Sequence, residues 1–303
     1  MTAPAGRSLL PADRAPWHPL ARLGAFIAAV AVAGLLAQAV LYPVAAFVLE
    51  AFGVRPLINE WLMLAGAIGG SMLAVRFAES DRVAVAPRVA LGAGAGRASG
   101  LTWGVVLGAA PMGLALAFLM TTGAYGVEAQ PADGLAMATG RALLVLAPAA
   151  AAEELLARGY PFTVLQEWQG PAVATGVTAL AFAALHALNP GVTPGSLVNV
   201  ALAGVLLALV RRATGSLAAA IVAHLAWNVL LVVVAHAPVS GLAFATPGWR
   251  LVPRGAPWLT GGAWGPEGSL VTTATLVLTC ALLWRRVAST DSSAARASAP
   301  THA

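Results

Sequence analysis

Apolar residues fall into eight long runs separated by shorter polar stretches: roughly Leu23–Leu49, Trp61–Phe77, Leu101–Thr122, Leu135–Ala157, Pro171–Leu188, Leu197–Val210, Ser216–His236 and Leu270–Trp284. A helix that crosses a bilayer needs about 20 mostly apolar residues. Each run reaches or approaches that length, and the short second, sixth and eighth are expected to extend into their flanks. Pro43 predicts a kink or break in the first run. A polar Pro/Arg tail precedes that run, with no small-residue cleavage site at a suitable distance, so it reads as a retained span and not a signal peptide. The pattern predicts an all-α polytopic membrane protein with about eight transmembrane helices.

Composition narrows the class. Of 303 residues, 59% are hydrophobic and 10% charged, against about 25% charged in an ordinary soluble domain. Seventeen basic and 12 acidic residues cannot cover a water-exposed surface for this length. Soluble, disordered, collagen-like and disulfide-scaffold classes are excluded. The single cysteine, Cys280, excludes an intrachain disulfide and a Cys-x-x-Cys zinc site. Every basic residue is Arg, which with the Ala and Gly content points to a G+C-rich bacterium and its plasma (inner) membrane. The basic balance fits Arg on cytoplasmic loops and implies no nucleic-acid partner.

The charges alternate from loop to loop. Arg7, Arg14 and Arg22 precede the first run; Arg82, Arg88 and Arg97 follow the second; Arg211 and Arg212 follow the sixth; Arg285, Arg286 and Arg296 follow the eighth. The intervening loops hold Glu50, Arg55 and Glu60, then Glu128 and Asp133, then Arg250, Arg254 and Glu267. Eight spans with both termini cytoplasmic satisfy the positive-inside rule. The chain then divides into a cytoplasmic tail (1–21), N-terminal spans (22–134), a helical core (135–236), an extracellular loop (237–269), a last span (270–286) and a disordered cytoplasmic tail (287–303). Gly92, Gly94 and Gly96 read as a linker, having no strand before them. Gly66 and Gly70, like Gly100, Gly104 and Gly108, have the four-residue spacing of close helix packing. Trp249, Trp258 and Trp264 in the outer loop read as interface anchors.

Ionisable residues inside apolar runs are costly and are functional candidates. Here they are Glu153, Glu154, His186 and His224, joined by the uncharged Asn228. At 100° per residue, Arg158 lies about 40° from Glu154 and about 140° from Glu153. Glu154 and Arg158 therefore read as a structural ion pair, which leaves Glu153 for chemistry. Phe182 precedes His186 by four residues, and His224 precedes Asn228 by four, so each pair shares a helix face. If the fourth helix continues through Glu167 and turns at Gln169–Gly170, Glu153 and His186 stand at equal depth, about 25 Å from the turn. On that geometry the site lies toward the cytoplasmic side. His236 would lie about 18 Å along the helix from His224, too far to share its site.

A carboxylate, two imidazoles and a carboxamide can activate water and hold an oxyanion: Glu153 as general base, His224 and Asn228 as donors, His186 orienting the water. Glu153, His186 and His224 are equally an adequate zinc set with an open position. Either form describes amide hydrolysis within a bilayer. No His-Glu-x-x-His occurs, no Lys exists for a Ser–Lys pair, and no Gly-x-Gly-Asp is present.

Glu153-Glu154-x-x-x-Arg158, Phe182-x-x-x-His186 and His224-x-x-x-Asn228, in that order on successive apolar segments, resemble the three motifs of the CAAX-protease and bacteriocin-processing (CPBP) family, which includes the type II CAAX prenyl endopeptidase. The resemblance covers about Leu135–Val234. It implies an eight-helix intramembrane endopeptidase with a conical catalytic bundle of helices four to seven. Catalytic positions would be Glu153, His186, His224 and Asn228, with Phe182 and Asn189 lining the site. The implied substrate is a membrane-associated, prenylated or peptide chain; metal dependence in the family is disputed. Two other classes use the same residues: a proton-coupled transporter with a Glu/His relay, and a non-catalytic immunity or scaffold protein. Against transport, no repeated half is visible.

Overall fold

A computed structural model describes residues 17–51, 58–79, 84–91, 97–244 and 247–297. Helices α1 (Pro19–Ala51), α2 (Ile58–Ala78), the short α3 (Val85–Arg88) and α4 (Arg97–Thr121) precede strand β1 (Tyr125–Ala129). Then come α5 (Leu135–Arg158), α6 (Tyr160–Leu185), α7 (Pro194–Thr214) and α8 (Leu217–Val229). Strand β2 (Trp249–Pro253), the short α9 (Pro257–Thr260) and α10 (Leu270–Ala297) complete the chain. The protein is an all-α polytopic membrane protein with one small antiparallel sheet, in which Tyr125 faces Pro253 and Ala129 faces Trp249. Arg7, Arg14, Arg55, Arg82, Gly92–Gly96 and His302 lie outside the described residues.

Among the described residues, 7 helices are long and apolar enough to cross a membrane. One of them, Leu135–Leu185, is a single run of 51 residues that holds both the fourth and the fifth predicted spans. It bends twice, at Gly159 (φ −78, ψ −122) and at Gly170 (φ 84, ψ 169). The expectation of one helix through Glu167 is corrected: α5 stops at Arg158. A Cβ at Gly159 would run into the Leu155 carbonyl oxygen, so this turn requires glycine. Pro161 sits in the first turn of α6, where its missing N–H costs nothing. By contrast, α1 continues through Pro43.

The glycine spacing does set close helix pairs. A Cβ at Gly104 would come within 2.5 Å of the Ala219 carbonyl oxygen, and one at Gly108 would overlap the Ala223 carbonyl, so α4 lies directly on α8. Gly70 would overlap Val30, and a Cβ at Gly66 would stand 3.1 Å from the Gly34 Cα, which seats α2 on α1. The outward faces stay apolar: Leu35, Phe47, Leu180 and Leu278 are all exposed, the surface expected to face lipid.

α7 and α8 run antiparallel about the Gly215–Ser216 turn, which defines two ends of the bundle. The turn end carries Arg211 and Arg212 and a buried ion network. Arg22 pairs with Glu79 and, at 3.4 Å, with Glu167; Arg88 pairs with Glu79 at 3.1 Å and donates to Glu167 at 2.7 Å. The Tyr160 hydroxyl donates to Glu79 at 2.8 Å. Arg22 and Arg88, expected as loop charges, are thus buried and paired. The opposite end carries the sheet and residues 235–269.

Three further expectations change. Residues 287–297 are helical, as α10 runs through Ala297, in keeping with the high helix propensity of its alanines. α8 passes at Val229 into a π-helical turn (Leu230–Val234), so His236 lies beyond the helix, at φ 51, stacked on Trp249 with ring centroids 4.1 Å apart. Trp264 is no interface anchor: it is fully buried and packs with Phe182, Ala183 and Val200.

Candidate active site

The site begins on α5. Glu154 and Arg158, one turn apart, are both fully buried and lie 3.0 Å apart. Arg158 also donates to the Gly204 carbonyl on α7 at 2.9 Å and sets its guanidinium 4.4 Å from the centre of the Phe182 ring. Glu153, the adjacent residue, points away from this pair, toward α6 and α8.

His186 caps the C-terminus of α6. Its Nδ1 lies 2.8 Å from the Phe182 carbonyl, an acceptor only, so Nδ1 carries the proton and Nε2 faces outward. His224 on α8 places Nδ1 3.1 Å from Glu154 Oε1. Both Nε2 atoms converge on one oxygen: Glu153 Oε2 is 4.0 Å from His186 and 3.8 Å from His224. These separations exceed a hydrogen bond, and Glu153 Oε2 is buried without a hydrogen-bond partner among the described residues. Phe182 backs both rings, with centroids 4.7 Å from His186 and 5.8 Å from His224.

Beside the imidazoles lies a cavity with about 40 Å³ of space for water-sized groups. That admits a few waters. Its polar lining is His186, Asn199, His224, Asn228, Ser240 and Glu267, set in apolar wall from α4, α7 and α8. Glu153 approaches the same two imidazoles that border this cavity. The wall runs from Gly108 in mid-helix to Ser240 and Glu267 in the 235–269 segment. The cavity thus extends from mid-bundle toward the segment that holds Ser240 and Glu267. The break at Gly159 removes the long hairpin arm from which the equal depth of Glu153 and His186 was reckoned.

Asn189 does not line the cavity. It lies just past the end of α6, and its carboxamide donates to the carbonyl of Ser240, a lining residue, at 3.0 Å.

Several lining residues escaped sequence reasoning. Asn199 had a usable signal, a carboxamide within an apolar run; it donates to the Glu267 and Ser269 carbonyls at 2.7 and 2.9 Å. Glu267 had none, since an acid in a loop is ordinary. It is buried and accepts from the Trp227 indole at 2.6 Å and from the Ser240 amide. Burial pushes its carboxyl above the usual carboxylate range, outweighing those hydrogen bonds and the nearby imidazoles.

Two imidazoles and a carboxylate are the donor types that zinc takes. Among the described residues, however, no group of three or more His, Cys, Asp or Glu is arranged to hold a metal ion.

No curated protein and no solved structure matches the chain. Residues 136–230, the stretch that carries Glu153, His186, His224 and Asn228, match the family model described as type II CAAX prenyl endopeptidase Rce1-like, which bears out the resemblance of the three motifs.

Proposed function

We propose that this protein is an intramembrane endopeptidase in which Glu153 activates a water held beside the His186 and His224 imidazoles. The observation that carries this is the convergence of both Nε2 atoms on Glu153 Oε2 at 4.0 and 3.8 Å. The gap is too long for a direct hydrogen bond and suits one bridging oxygen.

Glu153 takes a proton from the water, whose oxygen attacks the scissile carbonyl carbon. The carbonyl oxygen gains the negative charge, and the Asn228 carboxamide supplies a donor for it. As the tetrahedral carbon collapses, the C–N bond breaks and Glu153 returns its proton to the departing amine. The product pair is a new carboxylate terminus and a free amine. Glu154 fixes the His224 ring through Nδ1, and the Phe182 carbonyl does the same for His186. No step calls on a metal. The substrate is a membrane-associated protein or peptide, prenylated or not, and the protein works in a bacterial plasma membrane with both termini cytoplasmic.

Glu153→Gln and His224→Ala should each abolish cleavage, by about 10²–10⁴-fold for loss of the base, while the proteins still insert and fold. Comparing membrane peptides from cells carrying wild type with those from cells carrying Glu153→Gln identifies substrates at the same time. Wild-type proteolysis by both variants on a verified substrate sinks the proposal.

A further inference from the structure

Glu267 lies outside the segment that matches the family, yet its side chain borders the reaction cavity. Its two carboxyl oxygens are divided between two donors. Oε1 accepts from the Trp227 indole, on α8 between His224 and the adjacent Asn228; Oε2 accepts from the Ser240 amide. The Ser240 carbonyl in turn takes the Asn189 carboxamide, three residues beyond His186, and the Glu267 carbonyl takes Asn199 from α7. One buried carboxyl group thus ties together the segments that carry His186, His224 and Asn228, and among the described residues its donors are the Trp227 indole and the Ser240 amide.

We propose that Glu267 is a positioning residue for the hydrolytic site, holding the Trp227 indole and the Ser240 backbone so that the outer cavity wall keeps the two imidazoles and Asn228 in register. This rests on the endopeptidase reading above. It assigns Ser240 and Glu267, which lie beyond α8, a part in the wall of the reaction centre.

The chemistry of the contact supplies the test. Glutamine has one acceptor oxygen, and its NH2 group must face either the indole N–H or the Ser240 N–H, donor against donor. In Glu267→Gln one buried donor is therefore stranded. Trp227→Phe removes one of the two donors, so in the double variant the amide oxygen can serve Ser240 and the conflict ends.

Full-length protein in lipid nanodiscs is assayed on a peptide that wild type cleaves and Glu153→Gln does not, which secures the underlying reading first. Glu267→Gln should lower kcat about tenfold to a hundredfold with KM changed less than about threefold, and Glu267→Gln/Trp227→Phe should recover to within about threefold of Trp227→Phe alone. An unchanged kcat in Glu267→Gln, or a double variant no better than Glu267→Gln, overturns the proposal. Should Glu267→Gln fail to fold, the indole N–H resonance of Trp227, assigned by its loss in Trp227→Phe, reads the contact without any activity. A strongly downfield signal in wild type supports the contact, and a position typical of a free indole overturns it.

Discussion

Glu154 Oε1 holds two partners at once, Arg158 Nη1 at 3.0 Å and His224 Nδ1 at 3.1 Å. The residue that helical geometry reserves for a structural ion pair therefore also reaches the imidazole on α8. Stability and ring orientation depend on the same oxygen, and the other oxygen, Oε2, is buried with no hydrogen-bond partner among the described residues.

Removing this carboxylate should cost more than an ordinary buried contact. Glu154→Ala leaves the Arg158 guanidinium fully buried without its counter-charge, a loss of about 3–5 kcal/mol. Chemical unfolding in detergent micelles should show it. Glu154→Gln, which keeps the shape and an acceptor, should retain more stability than Glu154→Ala but still lose cleavage through the His224 ring. Wild-type stability in Glu154→Ala would mean that Arg158 finds another partner.

The α4–α8 contact allows a second prediction. Gly108→Ala must displace the Ala223 carbonyl, one residue before His224. Overpacking of this kind costs about 1–3 kcal/mol and would move His224 with its helix. Gly113→Ala, whose Cβ would stand 3.7 Å from the Leu230 side chain, serves as the control and should be near neutral. Equal unfolding midpoints for the two variants would contradict the packing described here.

Glu267 predicts the direction of a pH effect. Burial raises its folded-state pKa above its unfolded value. Below that value both folded and unfolded chains carry the neutral acid, and the contribution to stability is fully present. As pH rises through the raised folded-state pKa, the folded protein must carry a buried charge, and the contribution is lost. The unfolding midpoint should therefore fall over that interval in wild type, and this slope should be missing in Glu267→Gln. A midpoint that rises over the same interval would show the opposite sign of shift.

Chelation gives the last prediction. With no step through a metal, protein dialysed against a strong chelator should keep its cleavage rate. Stoichiometric zinc that is lost, together with activity, in His186→Ala would replace this mechanism with a metal-assisted one.

The sequence made the candidate site visible for a specific physical reason. Charges are rare in this chain, so Glu153, Glu154, His186 and His224 stand out against apolar runs where each costs free energy. Helical periodicity also separates Glu153 from the Glu154–Arg158 face. Periodicity does not extend across a break: Gly159 ends a helix that the apolar pattern carries onward, so positions on either side of it cannot be compared by counting turns. Arg22 and Arg88 look like topology signals, yet both are buried against Glu79 and Glu167, and Glu167 lies 145 residues from Arg22 and 79 from Arg88.

By itself, then, the sequence determined the class of the protein, the approximate spans and the residues able to do hydrolytic chemistry. These follow from local quantities: apolar run length, charge scarcity and the 3.6-residue repeat. Only the tertiary structure decided which side chains meet. The Glu154–His224 bond joins positions 70 residues apart, and Glu267 reaches Trp227 across 40. Such contacts are set by how helices stack and where an outer segment settles on their ends. An acid in a loop has no local pattern to mark it, and only burial beside two histidines makes it part of the site.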